Sequence, residues 1–320
     1  MPVNPFHARC SHFLGAFGGR RFPGQRRCGM LGRAWVGGVR LVDAASDPRH
    51  RGRPVAERAL VTRHVQDGPD WWHLTLRVPS VAAIARPGQF LQVQVQPQPQ
   101  AYDPLLPRPL SFCTLDAEHG EISLIYRVVG RGTALLARAL PGTPLGVFGP
   151  LGQSFPDPDR GAGQLLLVGG GLGIPPLAAA AAWARARRPA AILGARRADD
   201  LAGQAQVAAA TRSVAVCTED GSAGTRGLVT DLLAPALSAG SEVWACGPMP
   251  MLASVAALCR ARGAECWLAL ETPMACGFGV CMGCAVEAAR GGYLKACTDG
   301  PVLPAEAVRW AASTTRGARA

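Results

Sequence analysis

Four cysteines near the carboxyl end of the chain stand at a spacing that thiolate chemistry uses: Cys276-x4-Cys281-x2-Cys284-x12-Cys297. The first three lie in MACGFGVCMGC, separated by Gly277, Gly279 and Gly283. Glycine lets such a loop take tight, positive-φ conformations, so its backbone N–H groups can turn toward a small inorganic core. N–H donors of that kind stabilise the negative charge on cluster sulfurs and tune the potential. The fourth thiol is within reach because CAVEAA and YLKAC are short strand candidates around RGG. A hairpin there brings Cys297 back beside Cys284. The x4-then-x2 opening matches the plant-type [2Fe-2S] spacing, although the fourth cysteine follows sooner than in that type. Structural zinc is the rival, since four thiolates satisfy a tetrahedral ion, but zinc ribbons usually use two separated Cys-x2-Cys pairs. The other cysteines, Cys10, Cys28, Cys113, Cys217, Cys246, Cys259 and Cys266, fall mostly on expected strands and helices and read as small buried hydrophobes.

Further residues could hold organic redox cofactors. A flavin needs a cation for its phosphates, a hydrogen-bond partner near its redox-active nitrogen and a backbone edge along its ring. RPLS, that is Arg108, Pro109, Leu110 and Ser111, can supply all three: Arg108 the cation, Ser111 and the adjacent backbone the rest. Ile125, Tyr126 and Arg127 end a later strand, and Gly132 and Thr133 then open a helix whose first amides suit a pyrophosphate. A nicotinamide site is suggested by VGGGLGIPP, where Gly169, Gly170, Gly171 and Gly173 join an apolar strand to a helix. It lacks the G-x-G-x-x-G fingerprint and is equally compatible with a plain tight turn. CGPMPML, with Cys246, Gly247 and Pro248, is a second such turn, and Gly247 could let a nicotinamide approach a flavin. Arg196 and Arg197 end the second strand of this half, where a 2′-phosphate would lie, or are solvated surface charge, so NAD and NADP both stay open.

These residues need a scaffold, and the 320 residues suffice for about two domains. Residues 1–53 are rich in Gly and Arg without a clear period, and disorder is expected there. From 54 to 157 the period-two runs ALVTRHV, WHLTLRV, PGQFLQVQVQ and EISLIYRVV predict an antiparallel β-barrel, which would carry the flavin candidates. From 158 to 271, buried strands such as QLLLVGG, AAILGA and EVWACGP alternate with helical stretches. This predicts a doubly wound α/β domain, which would carry the nicotinamide candidates. Residues 272–320 are left for a small [2Fe-2S] module and tail. The net charge of +11 sits mostly in residues 1–53, which hold ten arginines against two acids, and Lys295 is the sole lysine. With no helix-turn-helix or aromatic-basic pattern, a nucleic-acid partner is not expected. The longest apolar run is broken by glycines and a Pro-Pro pair, so no membrane span is expected. A reducing, cytoplasmic location is the expected compartment.

Taken in order, DPLLPRPLS, YRVVGRGT, GPLG, VGGGLGIPPL, TEDGSAGTRGLVTD, CGPMPML, ETPMACGFGVCMGCAVEA and YLKACTDGPV resemble the ferredoxin-reductase-like superfamily. Within it they are most similar to the electron-transfer subunits of class 1B dihydroorotate dehydrogenases, over about residues 56–305. The resemblance implies FAD, a [2Fe-2S] cluster and NAD as cofactors, and an FMN-containing catalytic subunit as partner in a heterotetramer of two plus two. It implies that electrons released by dihydroorotate oxidation to orotate, in pyrimidine biosynthesis, pass from FMN through the cluster and FAD to NAD⁺. It assigns Arg108–Ser111, Ile125–Arg127 and Gly132–Thr133 to FAD, and Cys276, Cys281, Cys284 and Cys297 to the cluster. No side chain is expected to be catalytic, because the nicotinamide exchanges a hydride without an acid or base. Pro107 stands where the family often has another Arg, and residues 1–53 have no counterpart. Two other readings compete: the reductase subunit of a hydrogenase or ferredoxin–NADP transhydrogenase complex, and a zinc-stabilised, non-redox binding module.

Overall fold

The computed structural model describes residues 35–36, 39–40, 53–95, 103–161 and 163–310. The expectation of disorder in residues 1–53 therefore falls almost wholly outside the described residues, as do Cys10 and Cys28. Two short strands, β1 (Trp35–Val36) and β2 (Val39–Arg40), pair antiparallel within residues 1–41, a unit of their own. Everything that follows belongs to the second unit.

Seven antiparallel strands form the first sheet, in the order β6-β5-β9-β3-β4-β8-β7. They are β3 (Val55–Gln66), β4 (Trp71–Arg77), β5 (Phe90–Val93), β6 (Arg108–Ser111), β7 (Thr114–Asp116), β8 (Glu121–Arg127) and β9 (Pro144–Leu151). Alternation drives the packing. Leu74 and Leu76 of β4, Leu91 and Val93 of β5 and Ile122 and Leu124 of β8 all turn into one buried core with Phe112 and Leu136. β6 and β8, far apart in the sheet order, come into contact and close the barrel. Short helices α1 (Pro79–Ala82) and α2 (Arg131–Leu136) connect strands.

The second sheet has the order β13-β12-β11-β10-β14-β15-β18. β10 (Leu165–Gly170), β11 (Ala190–Ala195), β12 (Ser213–Thr218), β13 (Thr225–Arg226), β14 (Glu242–Gly247) and β15 (Glu265–Leu270) run parallel. Every residue of β10 and β14 is buried, as strands covered on both faces require. Helices α3 (Ile174–Trp183), α4 (Gln204–Ala208), α5 (Val229–Ala236) and α6 (Met249–Arg262) supply the crossovers. α3 opens with Pro175 and Pro176, which need no N–H partners in a first turn. Arg187 and Glu242 form a buried ion pair, 2.6 Å apart, and Trp244 Nε1 donates to the same carboxylate at 2.7 Å.

After β15 the chain makes the cysteine loop and a hairpin of β16 (Ala285–Glu287) and β17 (Tyr293–Lys295). It then returns as β18 (Val302–Pro304), antiparallel at the edge of the parallel sheet beside β15. No helix among the described residues is long and apolar enough to cross a membrane.

Candidate functional site

The hairpin sets the cysteine geometry. With Ala285 opposite Lys295, the Ala296 N–H donates to the Cys284 carbonyl, and the Cys284 and Cys297 sulfurs lie 3.2 Å apart, both buried. The glycine loop then folds its amides inward. Gly279 N–H donates to Cys297 Sγ at 3.2 Å, Gly283 N–H to Cys281 Sγ at 3.4 Å and Cys297 N–H to Cys284 Sγ at 3.4 Å. Gly277 has φ +79, and a Cβ there would lie 2.7 Å from Gln92 Nε2, so both its backbone and its surroundings demand glycine.

The charges follow this geometry. Partial burial works against ionising Cys276, but the amides of Cys281, Phe278 and Val280 and the Cys281 thiol donate to it and bring it down to about 6. Cys297 is pushed up to about 12 by burial, by its contact with Cys284 and by the nearby thiols. The sulfurs thus fall into two pairs, Cys276 with Cys281 and Cys284 with Cys297. Four thiols beneath inward-turned N–H donors are the donor set that a [2Fe-2S] cluster needs, the amides offsetting the negative charge its sulfurs would carry.

The flavin candidates gather at the barrel seam. β7 pairs with β8 only over residues 121–123, which leaves the Ile125–Arg127 edge open toward β6. Arg108 lies against α2: a Cβ on Gly132 would fall 2.2 Å from its Nε. The guanidinium also donates to the Leu106 carbonyl at 2.6 Å. Thr133 is occupied locally, its hydroxyl accepting from Val129 and Gly130 N–H and donating to the Gly130 carbonyl. Its backbone amide, with those of Arg131 and Gly132, has no acceptor within the helix.

Tyr126 points the other way, into the barrel. Burial lowers the pKa of His64 and keeps it neutral, and its Nδ1–H donates to the Ala139 carbonyl at 2.7 Å. Nε2 therefore accepts from the Tyr126 hydroxyl at 3.0 Å, so toward the seam this residue offers only its backbone. Arg127 extends away from the barrel, with Nη2 3.6 Å from Asp70 and Nη1 3.4 Å from Asp200.

The two glycine turns meet where the strand order reverses, between β10 and β14. A Cβ on Gly173 would sit 2.2 Å from the Cys246 carbonyl, so the turns are in direct backbone contact. Gly170 and Gly171 line a cleft of about 890 Å³ that reaches Trp71, Arg127, Arg196 and Glu219. Arg197 is drawn toward Asp200 at 3.5 Å.

Glu271 was not singled out from sequence. It caps β15 beside Gly247, its Oε1 is 4.0 Å from Cys246 Sγ, and its partly desolvated setting pushes its carboxyl up to about 7. Burial, then the Glu271 charge, raises the Cys246 thiol. An acid at the carboxyl end of a strand bordering the switch point was the signal available.

The chain is similar to known proteins. The family model for the iron-sulfur cluster binding domain of dihydroorotate dehydrogenase B matches residues 271–309. The electron transfer subunit of dihydroorotate dehydrogenase B (NAD(+)) from Geobacillus thermodenitrificans is 38% identical over 262 residues, covering 80% of this chain and 97% of the relative. Its counterpart from Bacillus caldolyticus is 40% identical over 239 residues, covering 73% and 91%. Among solved structures, the NADH-dependent reduced ferredoxin–NADP oxidoreductase, described in connection with flavin-based electron bifurcation, aligns with a TM-score of 0.69. That alignment has 28% identity and covers 82% of this chain and 92% of the other.

Proposed function

Because the chain belongs to the family of electron-transfer subunits of dihydroorotate dehydrogenase B, we propose that its thiol loop, barrel seam and glycine turns form one relay between a catalytic partner and NAD. The chain is an NAD-linked oxidoreductase subunit with FAD and a [2Fe-2S] cluster, serving dihydroorotate oxidation in pyrimidine biosynthesis beside a separate catalytic subunit. The observation that carries the relay is the thiol quartet, paired two by two under inward-turned amides.

When bound, a flavin trades electron pairs with a nicotinamide and single electrons with an iron-sulfur cluster, so its place is between them. Cys276 and Cys281 would hold one iron, and Cys284 and Cys297 the other. Arg108, with the amides of Gly132 and Thr133, would hold the FAD pyrophosphate. Ser111 and the open backbone edges of Pro109–Ser111 and Ile125–Arg127 would line its ring. Gly169, Gly170, Gly171 and Gly173, together with Cys246, Gly247 and Pro248, would admit the nicotinamide closely. None of these side chains needs to move a proton.

For the partner we propose an FMN-containing subunit, two copies of each chain forming the complex. Phe278, Val280 and Met282, exposed among the thiols, are its proposed contacts. We propose a cytoplasmic location, and the described cysteines, all free thiols, support it.

Coexpression with a dihydroorotate dehydrogenase catalytic subunit tests the reading. The anaerobically purified complex is expected to contain FAD, with iron and acid-labile sulfide in equal amounts, and to reduce NAD⁺ with dihydroorotate. A colourless complex, or a coloured one that passes no electrons from dihydroorotate, contradicts it. Capture of a hydrogenase or transhydrogenase subunit instead would favour the rival complex, to which the ferredoxin–NADP oxidoreductase likeness lends support.

A further inference from the structure

β5 lies between the strand that carries Arg108–Ser111 and the cysteine loop. Its Leu91 and Val93 face the barrel core, while Phe90 and Gln92 face outward. In the ladder, Ser111 stands opposite Phe90 and Pro109 opposite Gln92. Phe90 and Leu151 pack on Cys284, Ala296 and Cys297. Gln92 reaches the other arm of the loop: its Nε2 donates to the Ala275 carbonyl at 3.3 Å, one residue before Cys276. Gly277 presses so closely on this amide that a Cβ would overlap it.

Gln92 is 2% exposed, and its Oε1 has no hydrogen-bond partner among the described residues. A buried carbonyl without a donor is a net cost, and an apolar side chain of the same length would avoid it. Stability alone therefore does not account for an amide here. What the amide adds is one directed contact between the proposed flavin strand and the first cluster arm.

We propose that Gln92 is a positioning residue for electron transfer, clamping the Cys276 arm of the cluster loop to the flavin strand and so fixing the separation between the two carriers. The inference rests on the relay reading above. Gln92 touches no reacting atom and acts through Ala275, so its effect is confined to the one-electron step. Hydride exchange between nicotinamide and flavin does not use that contact.

The test uses the assembled complex with Gln92→Met, which keeps chain length and removes the donor, and with Gln92→Leu as a second variant. Stopped-flow reduction by NADH, followed at flavin and cluster wavelengths, separates the two steps. Both variants are expected to keep wild-type FAD and iron. Flavin reduction should stay within about twofold of wild type, while cluster reduction slows about tenfold, the upper range of one hydrogen bond expressed as an equilibrium factor. Cluster reduction at the wild-type rate in both variants overturns the proposal. Loss of flavin or iron from both also overturns it, by making Gln92 structural. A wild-type complex without flavin or iron would instead remove the relay reading itself.

Discussion

Replacing Gly132 by alanine would build a methyl carbon 2.2 Å from Nε and Nη2 of Arg108 and 2.3 Å from its Cζ. Gly132 is the second residue of α2, where alanine is the better helix former by about 1 kcal/mol. The obstructing atoms are the far end of a flexible side chain, so the fold can relieve the overlap by moving the guanidinium. Stability should hold or rise slightly, while Arg108 leaves the place where it would meet a phosphate. A hydrogen bond from a charged donor is worth about 1.5–3 kcal/mol, which corresponds to roughly 10- to 100-fold in affinity. Titration of the flavin-free protein with FAD, followed by flavin fluorescence, should show that loss, and thermal melting should show none. Arg108→Ala should weaken FAD similarly, and the double variant should be little worse than either single one, because both remove the same contact. Wild-type FAD affinity in Gly132→Ala, or fully additive losses, would refute the placement of Arg108 over the α2 amides.

Other perturbations probe the scaffold and the site. Glu242→Leu leaves the largely buried Arg187 cation without its carboxylate, and should cost about 3–5 kcal/mol in denaturant unfolding; a loss below about 1 kcal/mol would show that the pair is replaceable. Glu271 should make stability fall as pH rises, because its folded-state pKa of about 7 lies above the ordinary 4.5: its contribution is complete below about 4.5 and is lost as pH rises through about 7. Melting temperatures of wild type and Glu271→Gln, which mimics the neutral acid, should therefore agree best near pH 5 and diverge toward pH 8 with wild type the lower, and parallel curves would contradict this.

The cysteine spacing and its hairpin were legible because both are local. Four thiols and the RGG turn sit within 22 residues, and the ladder that joins Ala285 to Lys295 needs no distant partner. The parallel sheet was legible for a similar reason, since buried runs such as QLLLVGG and EVWACGP carry their own strand signal. β9 shows in the sequence only as the motif GPLG, because Gly146, Gly149 and Pro150 interrupt its alternation and its pairing with β3 is long-range. β18 is three residues long and becomes a strand only by meeting β15. The inward turn of Tyr126 follows from alternation with Ile122 and Leu124, whereas reading Ile125, Tyr126 and Arg127 as one motif hides the facing of each residue. Gln92 gave no signal, because its meaning depends on Ala275, 183 positions away.

Cys281→Ser in the assembled complex tests the order of carriers most directly. Cys281 is the most exposed of the four thiols and pairs with Cys276, so its loss should release cluster iron with little effect on the buried Cys284–Cys297 pair or the barrel. NADH should still bleach the bound FAD at nearly the wild-type rate, while dihydroorotate no longer reduces NAD⁺. Persistent dihydroorotate-driven NAD⁺ reduction without iron, or failure of NADH to reduce FAD that remains bound, would contradict a relay in which the thiol loop stands between the partner and the flavin.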